Sequence, residues 1–246
     1  NRLEITSAQV QAICNRKTGV GSDGLIRVGK VEGKWFMDYR NSDGSIAEMC
    51  GNGIRVMAKY LLEKGHQASG IFPINTRDGM KYLSVPETGD ITVNMGQIRE
   101  VFGEISATAN GHTWTGYNID MGNPHAVVFV EKLEDVGSLK DAPVVRPKDT
   151  YPEGVNVEFV EIMANHEAKM RVHERGSGET KSCGTGTCAV ALAATMHLKE
   201  NLPARWVIYP PGGRLVVDID PHSNATLTGP ALLIADHDLT RFLQDA

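Results

Sequence analysis

Two segments of this 246-residue chain repeat one chemical phrase: Met49-Cys50-Gly51-Asn52-Gly53-Ile54-Arg55 and Ser182-Cys183-Gly184-Thr185-Gly186-Thr187-Cys188. In each, a cysteine precedes a Gly-x-Gly turn that opens an apolar, helix-forming run, residues 54–64 in one case and 187–199 in the other. A helix start leaves backbone N–H groups unpaired and carries about half a positive charge, so it favours thiolate over thiol and attracts an anion. A cysteine there is expected to fall from a pKa of about 8.5 into the range of about 3.5–7.5, where it can act as a base at neutral pH. Two such thiols suit the inversion of a stereocentre beside a carboxylate without a cofactor. One group removes a weakly acidic proton from carbon and the other delivers a proton to the opposite face. The two helix starts would also take up the charge that develops on the carboxylate. The plainer reading, that Cys50 and Cys183 are small buried apolar side chains, has to explain why the same motif occurs twice.

The elements around the cysteines repeat as well. Residues 25–31 and 35–41 are rich in β-branched and aromatic side chains on either side of Glu32-Gly33, which predicts a hairpin leading into the first cysteine loop. Further strands are expected at 70–75, 80–85 and 90–95, separated by Gly, Pro and Asp turn signals. The succession then recurs with strands at 114–121, 126–130, 156–164 and 167–175, the last running into the second cysteine loop, and at 205–209, 215–219 and 225–229. Two similar α/β halves from an internal duplication follow. The join is expected between residues 96 and 111. This gives an N-terminal half of 1–104, joined by 233–246 crossing back, and a C-terminal half of 105–232. A cleft shared by the halves would set Cys50 and Cys183 face to face.

Composition narrows the function classes. A net charge of −5 with no long Lys/Arg cluster argues against nucleic acid as partner, and no apolar run approaches the roughly 18 residues of a membrane span. With no signal peptide in the visible N-terminus, a cytoplasmic location is expected. Four cysteines in this length do not make a disulfide scaffold, and none has Cys-x-x-Cys spacing. Cys14 and Cys188 are expected to be packing residues. The Asp236-His237-Asp238 run suits a turn better than a metal site, so no metal or other cofactor is expected.

At these residues the chain resembles a known family. Asn41-Ser-Asp-Gly-Ser-Ile-Ala-Glu-Met-Cys50-Gly-Asn-Gly and Glu174-Arg175-Gly-Ser-Gly-Glu-Thr-Lys-Ser-Cys183-Gly-Thr-Gly are similar to the two signature segments of diaminopimelate epimerases. The similarity continues through Gly122-Asn123-Pro124-His125-Ala126 and Gly154-Val155-Asn156-Val157-Glu158. The resemblance implies a cofactor-independent isomerase that interconverts LL- and meso-diaminopimelate on the way to lysine and peptidoglycan precursors. It further implies that each half is a mixed β-sheet wrapped around a central helix. It implies Cys50 and Cys183 as the acid/base pair. The backbone N–H groups of Gly51, Asn52, Gly184 and Thr185 would hold the carboxylate at the reacting centre, and Asn41, Asn123, Asn156 and Arg175 the far end of the substrate. His125 and Glu174 would lie near the reacting centre, orienting the amine or setting the thiol charge. A monomer and a homodimer are both compatible with the sequence.

Family members also begin with a Gly-Asn-Asp-Phe-like strand whose asparagine contacts substrate, and no such segment precedes Asn1 here. Gly24 stands where some members have a glutamine that reaches the active site. Two other readings use the same cysteines. One is a proline racemase or hydroxyproline epimerase, although Asn52 and Arg175 favour a longer, doubly charged amino acid. The other is a redox switch in which the two sulfurs form a reversible disulfide.

Overall fold

Glu32 and Gly33 both have positive φ, +52° and +77°, and the register pairs Val31 with Lys34. That is the two-residue turn whose twist matches a right-handed β-ribbon, so the expected hairpin forms between β1 (Gly24–Val31) and β2 (Lys34–Asn41). The computed structural model describes residues 4–164 and 166–243, apart from the Phe102 side chain. It divides into two compact units, Asn1–Ile91 with Ala231–Ala246, and Thr92–Pro230.

In the first unit, α1 (Ser7–Cys14) starts at Thr6 with a reciprocal cap. The Thr6 hydroxyl accepts from the Gln9 N–H, and the Gln9 side chain accepts from the Thr6 N–H. After the hairpin come α2 (Gly51–Glu63), β3 (Gly70–Thr76) and β4 (Gly79–Val85), with strand order β1-β2-β3-β4. Since β3 runs parallel to β2, the connection between them must cross over, and α2 makes the crossing. Ile54, Met57, Ala58 and Leu61 are buried at i, i+3, i+4 and i+7, the apolar stripe by which α2 packs on the sheet.

The second unit builds the same crossover into a larger sheet. Its strands are β5 (Ile91–Gln97), β6 (Arg99–Ala109), β7 (His112–Asp120), β8 (Pro124–Phe129), β9 (Val144–Arg146), β10 (Asn156–Ile162), β11 (Glu167–Glu174) and β12 (Gly178–Thr180), followed by α3 (Gly184–His197) and by β13 (Ala204–Tyr209), β14 (Leu215–Ile219) and β15 (Asn224–Gly229). The order is β5-β15-β14-β13-β11-β10-β8-β7-β6-β9, with β12 added on β11. β11 and β13 are parallel and α3 connects them, as α2 connects β2 and β3. Where α2 has one apolar face, α3 is rich in small residues (Gly, Ala, Val, Thr and Cys, with Leu192) and is buried almost all round between Gly184 and Thr195. Its hydroxyls are satisfied locally: Thr187 donates to the Cys183 carbonyl at 2.7 Å and Thr195 to the Ala191 carbonyl at 2.9 Å.

Alternation in the parallel pair β8–β10 decides what α3 meets. Ala126, Val128, Val157 and Phe159 point to one face, into an apolar cluster with Ile105 and Leu139. His125, Asn156 and Glu158 point to the other, toward the start of α3. Glu174 at the end of β11 shares that second face by register, because Glu158 pairs with Val172.

Both helices begin three residues earlier than the sequence pattern suggests, at Gly51 and Gly184 rather than 54 and 187, so the Gly-x-Gly turn is itself the first helical turn. β6 is a strand that the sequence analysis leaves out. Gly103, at φ +125°, interrupts its alternation, and its register with β7 shifts between Val101 and Ile105.

One buried charge cluster braces the first unit. Asp38 on β2 is 1% exposed and accepts from Arg27 at 2.9 Å, from Arg40 at 3.4 Å and from Arg77. Burial pushes the Asp38 carboxyl up, but Arg77 and then Arg27 pull it down further, to a net value below the usual carboxylate range. Its stabilisation is therefore present above the unfolded value of about 3.9 and fades as pH falls through the lower folded value. Asp38→Ala is expected to cost about 3 kcal/mol at pH 7, read by urea unfolding, with the penalty shrinking below pH 4. An unchanged midpoint at pH 7 refutes this.

Candidate active site

Each cysteine lies between a strand and a crossover helix, on extended backbone that hands the chain to the helix. Cys50 has φ −138° and ψ 113°, and Cys183 has φ −118° and ψ 119°. In that conformation each residue is the N-cap, and its sulfur takes the place usually held by a Ser, Asp or Asn oxygen. Cys50 Sγ accepts from the Gly53 N–H at 3.3 Å, and Cys183 Sγ accepts from the Gly186 N–H at 3.4 Å. Helix geometry leaves the preceding N–H groups, Gly51 and Asn52 in one case and Gly184 and Thr185 in the other, without intrahelical acceptors beside the sulfur. Cys14, Cys50, Cys183 and Cys188 are free cysteines.

In the first unit, Arg55 supports this turn. It is 4% exposed, donating from Nη1 to the Gly51 carbonyl at 3.0 Å and from Nη2 to Asn52 Oδ1 at 2.9 Å. A buried cation thus stands one turn along the helix from Cys50 and fixes the Asn52 side chain. Arg55 lies inside the motif, yet the sequence offers no reason to give it a role, because an arginine one turn into an amphipathic helix ordinarily reaches solvent. Asn41 ends β2 and donates to Ser45 Oγ at 3.0 Å in the turn ahead of the cysteine loop.

In the second unit, a row of polar side chains leads away from the sulfur. Cys183 Sγ is 3.5 Å from Thr185 Oγ1, and Asn123 Nδ2 lies 3.4 Å from the same hydroxyl. Asn123 Oδ1 is 3.2 Å from His125 Nε2, and His125 Nδ1 is 2.7 Å from Glu158 Oε1. His125 and Glu158 are both fully buried. Asn156 uses both ends of its amide on backbone, donating to the Pro124 carbonyl and accepting from the Arg175 N–H, each at 3.0 Å. Glu174 accepts from the Thr180 hydroxyl. Arg175, with its stem against Gly154, lines a cavity of about 300 Å³ together with Asn118, Asp120, Asn123 and Tyr151.

The second unit thus brings together Asn123, His125, Asn156, Glu174, Arg175, Cys183, Gly184 and Thr185; Asn41, Cys50, Gly51 and Asn52 lie in the first. Glu158, which the sequence analysis names only as part of a motif, belongs in the second group.

The thiol at Cys183 departs from the expectation for a helix start. Burial pushes its pKa well above the ordinary value, and the nearby carboxylates of Glu174 and Glu158 push the same way, outweighing Thr185 and the Gly186 N–H. Among the described residues no group of three or more His, Cys, Asp or Glu side chains is arranged to hold a metal, and no helix is long and apolar enough to cross a membrane.

The diaminopimelate epimerase family model matches residues 1–101 and 117–234. The chain belongs to the diaminopimelate epimerase family. It is 43% identical to the diaminopimelate epimerase of Streptomyces coelicolor over 252 residues, covering 96% of this chain and 87% of that protein. It is 41% identical to that of Corynebacterium glutamicum over 252 residues, covering 95% and 89%. Among solved structures, a phenazine biosynthesis protein of the PhzF family from Bacillus anthracis aligns with a TM-score of 0.70 at 14% identity, covering 92% of this chain and 86% of that one. A hydroxyproline epimerase from Agrobacterium vitis aligns at 0.68 and 14% identity, covering 92% and 78%. At that identity the likeness shows the shared fold alone, a mixed α/β fold rich in sheet. Gly24, where some diaminopimelate epimerases have a glutamine, is tightly enclosed: a Cβ there would lie 2.5 Å from the Arg40 carbonyl oxygen and 2.7 Å from the Tyr39 ring.

The two third-position glycines are equivalent in the motif but differ in what surrounds them. A Cβ on Gly186 would come 2.5 Å from Glu158 Oε1 and 3.2 Å from Cys183 Cβ, whereas on Gly53 the nearest atom is the flexible end of Ile26 at 3.1 Å. Gly186→Ala is expected to destabilise by about 2 kcal/mol and Gly53→Ala by less than about 1 kcal/mol, since alanine's helix preference offsets part of each clash. Thermal unfolding of the two variants checks this, and equal shifts refute it.

Proposed function

We propose that this protein interconverts LL- and meso-diaminopimelate without a cofactor, using Cys50 and Cys183 as its two proton carriers. Family membership over nearly the whole chain supports the substrate. The observation that carries the mechanism is the repeated construction: in both units a free cysteine caps the helix of a parallel crossover with its sulfur, next to N–H groups suited to a carboxylate. The positive helix ends hold the substrate carboxylate through Gly51, Asn52, Gly184 and Thr185, and stabilise the charge that builds on it as the α-proton leaves. One sulfur takes the proton as thiolate while the other gives its own as thiol. The second inverts the centre by protonating the face opposite the first. Burial and the carboxylates of Glu174 and Glu158 raise the pKa of Cys183, which favours its thiol form, the form that gives a proton.

The far end of the substrate, a second amino-acid group, meets Asn41, Asn123 and Arg175. Arg175 supplies the planar, two-pronged clamp for its carboxylate. Asn156 contributes through Arg175, whose backbone it holds. His125 and Glu174 set the charge around Cys183 and orient the reacting amine. The reaction belongs to lysine and peptidoglycan precursor synthesis in the cytoplasm.

Incubation in deuterated water is expected to place deuterium at the α-carbon of LL-diaminopimelate and leave proline unlabelled. Label in proline alone points to the racemase reading, and label in neither ends the enzymatic one. Cys50→Ala and Cys183→Ala are each expected to lower kcat by at least about 10²–10⁴-fold with the fold retained by circular dichroism. Full turnover by either variant refutes a two-base reaction. Arg175→Lys is expected to raise KM by about tenfold or more, because a point charge cannot replace the bidentate fork. An unchanged KM places the clamp elsewhere.

A further inference from the structure

Glu158 has no part in the scheme above, yet it is the most deeply enclosed carboxylate near the thiol of Cys183. It is fully buried, its Oε1 is 2.7 Å from His125 Nδ1, and its Oε2 has no hydrogen-bond partner among the described residues. A carboxylate in such a place is costly unless opposite charge surrounds it. Two sources are at hand. Oε1 lies against Gly186, in the first turn of α3, where a Cβ would come within 2.5 Å of it, so the carboxylate sits over the positive end of the helix. The other source is His125, when its ring is protonated.

The row Cys183, Thr185, Asn123, His125, Glu158 can be hydrogen-bonded in two consistent ways, and the Glu158 end is the same in both. A carboxylate only accepts, so His125 Nδ1 carries a hydrogen and donates to Oε1. With a neutral ring, Nε2 has no hydrogen and accepts from the Asn123 amide. Asn123 Oδ1 then accepts from the Thr185 hydroxyl, whose oxygen accepts from the Cys183 thiol. With a protonated ring every arrow reverses: Nε2–H donates to Asn123 Oδ1, Asn123 Nδ2–H to Thr185 Oγ1, and the Thr185 hydroxyl to a Cys183 thiolate. The distances of 3.2, 3.4 and 3.5 Å along the row fit either direction. The first state pairs a neutral histidine with a thiol and the second a histidinium with a thiolate. Each therefore differs from the other by one proton moved between sulfur and ring, with total charge conserved.

The geometry points to Glu158 as the positioning residue of the Cys183 half-reaction: its buried carboxylate fixes His125 with Nδ1–H toward it, so that the His125–Asn123–Thr185 row matches the charge on the ring to the charge on the sulfur. The inference rests on the two-cysteine reading and adds a residue to it. Without the carboxylate nothing at Nδ1 selects the ring's tautomer, and the row loses its fixed end. The ionisable groups facing this row are Glu174 from β11, Glu158 from β10, His125 from β8 and the Tyr151 hydroxyl from the loop before β10. Tyr151, whose hydroxyl is buried without a hydrogen-bond partner, is pushed up by burial and then by the Glu158 charge, so it stays neutral beside it.

Glu158→Gln keeps shape and removes the charge. It is expected to lower kcat about 10–100-fold while KM for LL-diaminopimelate changes less than about twofold, because Glu158 does not touch substrate, and to displace the pH dependence of iodoacetamide alkylation at Cys183 but not at Cys50. Wild-type kcat with an unmoved Cys183 alkylation profile overturns the proposal. Loss of kcat with that profile unmoved also overturns it, as the mark of a merely structural role. If Glu158→Gln does not fold, ¹⁵N NMR of histidine-labelled wild-type protein decides. A hydrogen on His125 Nδ1, in a neutral or protonated ring, supports the proposal, and a neutral ring with its hydrogen on Nε2 alone overturns it. Neither the alkylation nor the NMR reading depends on turnover, so they separate failure of this inference from failure of the epimerase assignment, which the deuterium experiment reads.

Discussion

A sulfur that accepts a hydrogen bond from the third N–H of a helix is the contact on which the rest of this architecture depends. It requires extended backbone at the cysteine and a helix that starts on the next residue; the third residue is glycine in both, and at Gly186 a Cβ would come within 2.5 Å of Glu158 Oε1. Those demands account for the placement of both motifs between the strand and the helix of a parallel crossover. There the first turn of a helix faces outward past the strand ends, the usual location of ligand sites in α/β sheets. The same contact places the first two N–H groups of each helix beside the sulfur, so that in the proposed reaction anion binding and proton transfer would share one turn of backbone.

The two versions of that turn sit in opposite electrostatic surroundings. Around Cys50 the buried charge is Arg55, which is bonded to Gly51 and Asn52. Around Cys183 it is carboxylate, Glu158 and Glu174, and α3 is buried over most of its length between Gly184 and Thr195. A helix start lowers a thiol pKa only when water or a cation supports the thiolate. At Cys183 desolvation and like charge outweigh the dipole. An epimerase that works on either isomer needs one sulfur charged and the other neutral at the start of each turnover. At Cys183, burial and the carboxylates of Glu174 and Glu158 favour the neutral form before any substrate binds.

Much of this was legible in the sequence because the determinants are local. The Glu32-Gly33 turn and its flanking β-branched and aromatic residues specified the hairpin to within a residue. The paired Cys-Gly-x-Gly motifs marked both helix starts, although the Gly-x-Gly residues were read as leading into the helices and not as their first turn. β6 was missed because Gly103 and a register shift break the alternation by which a strand is recognised. Glu158 and Arg55 were present in the quoted motifs but carried no signal. A charged residue in an alternating strand or an amphipathic helix reads as a solvent-facing position, and its own neighbours in the chain do not contradict that.

The sequence by itself determined which side chains could do chemistry and that they come in two matched sets, since a helix cap and a tight turn are decided by a few adjacent residues. Only the tertiary structure decided the electrostatic surroundings of each set. Burial of Cys183, the 2.7 Å approach of His125 to Glu158 and the enclosure of α3 arise from strands and a helix brought together from residues 123–125, 156–158 and 174–186. Desolvation and Coulomb interaction depend on distance through space, and chain order does not encode that distance.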